Sequence, residues 1–168
     1  MPEWISEKQT SELSMSVKVK ETLFEGQSDF QTVGVYDTNV FGKMLVLDGV
    51  FQTSIFEEYV YHEMIAHIPL FAHPDPKKVL IMGGGDGGTA REVLRHTYLE
   101  KVDMIEIDGV VVEQSKKHLP EISKVLNHPP ANFTLTIGAG LKHSKESENV
   151  YDLIIVDCSD PFGPGEGL

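Results

Sequence analysis

Four acidic side chains stand where a folded chain could bring them to one place. Asp86 lies inside the glycine run 83–88 (GGGDGG), Glu106 lies near the end of KVDMIEID, and Asp157 and Asp160 bracket Cys158 and Ser159 in DCSDP. Carboxylates that converge on one mouth can hold a polyvalent amine. One of them could also take a proton from an ammonium group, so that the freed amine attacks carbon. Gly83, Gly85 and Gly88 meet the G-x-G-x-x-G spacing, and Glu106 follows about 20 residues on, which together form a nucleotide-binding fingerprint. A dinucleotide would lay its pyrophosphate against such a loop and the helix behind it. Asp86 would then oppose that phosphate with like charge. A ligand with a ribose, no phosphate and a positive charge fits better, and a sulfonium nucleoside of the S-adenosylmethionine type has that pattern. The plain alternatives are glycines that serve only close helix–strand packing, and an Asx turn in DCSDP.

Other reactive residues point elsewhere less well. His62 and His67 are five apart, not the four that puts two zinc ligands on one helix face. With one cysteine in the chain, a metal site is not expected. Cys158 follows Asp157 directly, and an adjacent carboxylate raises a thiol pKa, which disfavours a nucleophilic role. The chain of 168 residues carries 26 acidic against 14 basic side chains, a net charge of −12. That balance disfavours nucleic acid, whose recognition rests on Lys and Arg. It favours a cationic small molecule if the acids cluster. No apolar run approaches the roughly 18–20 residues of a membrane span. The start MPEWISEKQT has no signal pattern, so a cytoplasmic protein is expected.

The elements that must position these residues fall into two rhythms. Residues 1–55 read as β structure: LSMSVKVKETLF alternates in part, FQTVGVYD is β-branched and aromatic, and GKMLVLDGVFQT follows the turn-like DTNVFG. Ser54 with Glu57 fits a capping box that would start a helix through FEEYVYHEMIAHIPLF, which should end before HPDP. From Lys77 onward strands alternate with helices. KVLIMG, KVDMIEID, NFTLTIG and YDLIIVD are the strands, and GTAREVLRH, VVVEQSKKHLPEI and LKHSKESEN the helices. This alternation implies βαβ units and a parallel sheet. The expected division is a β-strand module at 1–55, a connecting helix and loop at 56–76, and a nucleoside- and amine-binding domain at 77–168.

Together LVLDGVFQT, EEYVYHEMIAHIPLFAHPDPKKVLIMGGGDGGTAREVLRH, IEID, SKKHLPEI and LIIVDCSDPFGP resemble the spermidine synthase, or polyamine aminopropyltransferase, family. The resemblance covers essentially the whole chain. It implies an N-terminal β-strand module followed by a Rossmann-like, methyltransferase-type parallel sheet, here incomplete at about four strands. It implies transfer of the aminopropyl group of decarboxylated S-adenosylmethionine, a co-substrate and not a bound cofactor, to putrescine. Spermidine and methylthioadenosine would be the products. By position, Gln31 resembles a residue near the nucleoside, Glu106 the one that bonds the ribose, and Pro164 one that lies along the nucleoside. His62 and Asp86 resemble residues that hold the amines, and Tyr61 a tyrosine that orients the attacking amine. Asp157 corresponds to the proton acceptor and Asp160 to an amine ligand. Dimers or tetramers through the N-terminal strands are implied as well.

Two departures follow from the same resemblance. The family has Asp-Gly after the third strand of the parallel sheet, its Asp accepting from the adenine amino group. Here Ala139 precedes Gly140. Losing that hydrogen bond would cost about 1.5–3 kcal/mol, roughly ten- to a hundredfold in affinity. Family chains also run well past residue 168, so further amine-site residues and the last strands have no counterpart in these residues. A second expectation is therefore an inactive, shortened homologue that binds nucleoside or polyamine without turnover. An ordinary methyltransferase is disfavoured, because a substrate carboxylate would meet Asp86.

Overall fold

The computed structural model describes residues 3–140 and 150–158. Five strands come first: β1 (Trp4–Lys8), β2 (Ser14–Gln27), β3 (Thr32–Thr38), β4 (Gly42–Leu47) and β5 (Val50–Ser54). They form an antiparallel sheet in sequence order, a meander. β2 is long enough to pair β1 over Ser14–Lys18 and β3 over Val19–Gln27. Alternation buries both faces of β3 and β4. Val33, Val35 and Leu45 point one way, and Tyr36, Met44 and Val46 the other, where they meet Ile5 and Val17. GKMLVLDGVFQT supplies two strands, since Asp48 (φ 49°) and Gly49 (φ 78°) make a two-residue hairpin turn between β4 and β5. Asp-Gly suits that turn because both positions need positive φ. β1 is an addition to the expected strands.

The capping box at Ser54 does not form. Ser54 is the last residue of β5, paired with Met44, and its hydroxyl has no hydrogen-bond partner among the described residues. The next two amides bond back across the hairpin, Ile55 to the Lys43 carbonyl and Phe56 to that of Phe41. With those donors held by β structure, the helix starts later, as α1 (Glu58–Ala72) with Glu57 at its N-cap. Its buried stripe is His62, Ala66 and Leu70, and it stops before Pro74, as expected from HPDP.

Beyond α1 come β6 (Lys78–Gly83), α2 (Gly88–Val93), β7 (Lys101–Glu106), α3 (Gly109–His118), α4 (Lys124–Asn127), β8 (Phe133–Ile137) and β9 (Leu153–Asp157). The four strands are parallel, in the order β8-β7-β6-β9. This is the expected Rossmann-like sheet, with the short α4 an addition. The expected helix LKHSKESEN lies outside the described residues. One core joins Val79, Ile81, Val102, Met104 and Ile155 of the sheet to Ala66 and Leu70 of α1 and Ala90 and Val93 of α2. A second core joins the N-terminal sheet to the α3 region: Val33, Val35 and Leu45 pack on Val111 of α3 and on Leu119 and Ile122 behind it. The sheet order reverses at β6, with β7 on one side and β9 on the other. The crevice at the carboxyl ends of β6 and β9 is thus the topological switch point, where ligands of open parallel sheets bind.

Candidate functional site

The glycine loop fills that crevice. Gly83 has φ 88°, and a Cβ there would collide with the Asp157 carbonyl oxygen. Its absence lets β6 and β9 close over the loop, where the Gly84 amide donates to the same carbonyl at 2.8 Å. Asp86 caps the turn into α2, its Oδ1 accepting the Gly88 N–H at 2.6 Å. Gly88 is the second position where no side chain fits, because the His62 ring lies flat against it. Through that contact α1 docks on the loop and delivers Tyr61 and His62 to it.

Four of the expected residues therefore meet at one mouth. The Tyr61 hydroxyl donates to Asp157 Oδ1 at 2.8 Å, and His62 Nε2 lies 3.4 Å from Asp86 Oδ1. The other Asp157 oxygen, Oδ2, is buried and has no hydrogen-bond partner among the described residues. Burial, with the Asp86 charge second, pushes the Asp157 carboxyl up, while Thr89, Tyr61 and His62 pull it partly back. Burial also opposes charge on His62. The carboxylates of Asp86 and Glu58 outweigh it and hold the imidazole at about 9. Burial and Asp157 together push the Tyr61 phenol up, so it stays a neutral donor.

The second cluster sits at the carboxyl end of β7, on the other side of the loop. Glu106 is buried, with Oε1 accepting the Asp108 N–H at 2.9 Å and Oε2 facing Gly85. A Cβ on Gly85 would come within 2.9 Å of that oxygen. Burial raises the Glu106 carboxyl, Asp108 adds to the rise, and backbone N–H groups counter it. Gln31 reaches this cluster from the N-terminal sheet, its Nε2 donating to Asp108 Oδ2 at 2.9 Å. Gly140 follows β8, 3.1 Å in Cβ position from the Met82 side chain near the end of β6, and Ala139 beside it is exposed. Gln31, Tyr61, His62, Asp86, Glu106, Asp157 and the three glycines are thus gathered around one loop. Asp160 and Pro164 lie outside the described residues. His67, by contrast, points away from His62 and bonds His96 at 2.9 Å.

Three further residues shape the site without having been expected. Asp108 caps α3 through its Oδ1 while its Oδ2 takes Gln31 and, at 2.6 Å, the Ser28 hydroxyl. The Asp before GVVVEQ was a legible cap signal. Glu58 meets His62 Nδ1 at 2.5 Å, an i,i+4 pair readable from spacing alone. Arg91 donates to Glu58 at 2.8 Å, a contact between helices that spacing could not reveal.

Chemically the loop separates two environments. One side offers a buried carboxylate and backbone suited to a ribose diol. The other offers two carboxylates and a phenol hydroxyl suited to a cationic amine, one carboxylate being primed by burial to accept a proton.

Residues 58–168 match the model of the spermine/spermidine synthase domain, and residues 3–54 that of the spermidine synthase tetramerisation domain. The chain is 52% identical over 165 residues to a polyamine aminopropyltransferase of Clostridium tetani, covering 98% of this chain and 58% of that protein. It is 47% identical to one of Methanocaldococcus jannaschii, at 98% and 56% coverage. A spermidine synthase crystallised with the transition state analogue AdoDATO superposes with a TM-score of 0.91 at 39% identity, over 97% of this chain and 56% of that one. The Thermotoga maritima spermidine synthase gives 0.89 at 40%, over 94% and 54%. The chain thus spans a little over half the length of the relatives it matches.

Proposed function

This chain belongs to the spermine/spermidine synthase family, and from that premise we propose that it transfers the aminopropyl group of decarboxylated S-adenosylmethionine to putrescine. The observation that carries the proposal is the Asp157 carboxyl: half-buried, pushed up by burial and then by the Asp86 charge, with its Oδ2 at the switch point lacking a hydrogen-bond partner among the described residues. Asp157 takes a proton from the putrescine ammonium. The freed nitrogen lone pair attacks the aminopropyl carbon bonded to sulfur, and the C–S bond breaks with its electrons on sulfur. Methylthioadenosine leaves as a neutral thioether, and the amine becomes spermidine. Such a displacement needs positioning and deprotonation and no metal, because the co-substrate carries its own leaving group.

In this reading Glu106 holds the ribose, and Gln31, Gly140 and Pro164 lie along the nucleoside. The glycines Gly83, Gly85 and Gly88 let the loop approach it. Asp86 with His62 and Asp160 bind the amine, and Tyr61 orients Asp157 and the attacking nitrogen. Ala139 offers no acceptor to the adenine amino group, so nucleoside affinity rests on Glu106 and the loop. The division into residues 1–55, 56–76 and 77–168, self-association through the N-terminal sheet as a dimer or tetramer, and action in the cytoplasm belong to the same proposal. Incubation with decarboxylated S-adenosylmethionine and putrescine, read by mass spectrometry, should yield spermidine and methylthioadenosine in equal amounts. Binding of methylthioadenosine without either product would contradict it and favour the non-catalytic reading.

A further inference from the structure

The turn between β2 and β3 reaches the carboxyl end of β7 and is tied to it through one buried side chain. Asp108 is 1% exposed and receives four donors. Its Oδ1 takes the Val110 and Val111 N–H groups of α3, at 2.9 and 3.4 Å. Its Oδ2 takes the Ser28 hydroxyl at 2.6 Å and Gln31 Nε2 at 2.9 Å. Ser28 Oγ in turn accepts the Gln31 backbone N–H at 3.0 Å, so Gln31 is held by main chain and side chain together. On its other side the Asp108 N–H donates to Glu106 Oε1 at 2.9 Å. One residue thus sets Gln31, from the N-terminal sheet, against Glu106, from the parallel sheet.

The two ends of a glutamine amide are alike in shape but opposite in function, and the neighbours decide which end goes where. An ionised carboxylate only accepts. Asp108 therefore claims the nitrogen of Gln31, and the carbonyl oxygen Oε1 meets no donor among the described residues. We infer that Asp108 is a positioning residue for the nucleoside. It fixes Gln31 with Oε1 as the end offered to the ligand, so that Gln31 and Glu106 form a pair of acceptors for the two hydroxyls of a ribose. This inference rests on the nucleoside reading above.

Such a pair selects by hydrogen-bond sign. A vicinal diol brings two O–H donors, one for each acceptor. A deoxyribose leaves one acceptor without its donor, and a phosphate ester on either hydroxyl sets negative charge against Glu106 and Asp108. In open parallel sheets the acid at this strand end bonds a ribose hydroxyl. Here the second acceptor comes from the other module as a neutral amide, which adds no third carboxylate to the cluster.

The test is calorimetric titration of the full chain with methylthioadenosine and with its two monodeoxy analogues, each lacking one ribose hydroxyl. In the wild type each analogue should bind about three- to tenfold more weakly than methylthioadenosine, the scale of one hydrogen bond. Asp108→Asn keeps the cap of α3, because the Asn oxygen still accepts from Val110. Its NH₂ then stands where Oδ2 stood, so Gln31 turns its oxygen inward and its nitrogen to the ligand. Affinity for methylthioadenosine should fall about three- to tenfold, while affinity for one of the two analogues stays within about twofold of wild type. Adding Gln31→Glu to Asp108→Asn should restore binding, since a carboxylate accepts at both ends. Gln31→Glu beside native Asp108 should weaken it, through two facing carboxylates. A merely structural Asp108 would weaken all three ligands alike and gain nothing from Gln31→Glu, and either result would overturn the inference. So would a wild type that binds either analogue as tightly as methylthioadenosine, an arm that needs no variant to fold. A wild type that binds none of the three overturns the inference through its premise, the nucleoside reading, and this outcome is distinct from the others.

Discussion

Replacing Gly88 by Ala sets two calculable effects against each other. Gly88 is the first residue of α2, and by helix propensity alone Ala would stabilise by up to about 1 kcal/mol. The Cβ, however, would sit against the His62 ring, touching Cε1 and Nδ1 and coming within 2.6 Å of Nε2. The ring cannot yield without leaving Glu58 and the nearby Asp86 charge, because it is buried and bonded to Glu58 through Nδ1. Overpacking costs about 1–3 kcal/mol, and each hydrogen bond to a charged group lost in the shift about 1.5–3 kcal/mol. The net expectation is a loss of about 2–4 kcal/mol, which for a chain of this size lowers Tm by roughly 5–15 °C. Urea or thermal unfolding of wild type, Gly88→Ala, His62→Ala and the double variant measures it. In the His62→Ala background the same Gly88→Ala change should be neutral or stabilising. Equal costs in both backgrounds, or no loss in the first, would refute the packing of the ring on the loop.

Two further outcomes follow from the same geometry. The folded-state pKa of His62 is raised from 6.5 to about 9, so its charge adds stability that is fully present below about pH 6.5 and is lost as pH rises through about 9. The urea midpoint should fall across that window in the wild type, and much less in His62→Gln. Asp108→Ala removes the cap of α3 and leaves Ser28 and Gln31 without their acceptor. It should cost about 2–3 kcal/mol by chemical denaturation.

Much of this architecture was legible because it rests on local rules. The parallel strands read from their apolar runs, the glycine loop from its spacing, and the convergence of Asp86, Glu106 and Asp157 from where strand ends fall in such a sheet. The start of α1 was misread because Ser54 and Glu57 carry the right types for a cap, while the amides of Ile55 and Phe56 are taken by strand partners that no local pattern announces. The Asp48-Gly49 turn was written in its residue types but hidden in an apolar run. The ties from Gln31 to Asp108 and from Arg91 to Glu58 join segments distant in the chain, and such contacts exist only once the two sheets and helices have packed. Charge state was the least legible part. Whether Asp157 is poised to take a proton depends on burial and on Asp86, and neither can be computed from the string DCSDP.

The central claim is that the half-buried Asp157 carboxylate takes the amine proton, and single-turnover release of methylthioadenosine by the wild-type chain and Asp157→Asn tests it most directly. General-base catalysis contributes roughly 10²–10⁴-fold. With putrescine and decarboxylated S-adenosylmethionine both saturating, the variant should therefore slow by about that factor while still binding methylthioadenosine. A variant that turns over within a few-fold of the wild type would contradict the account.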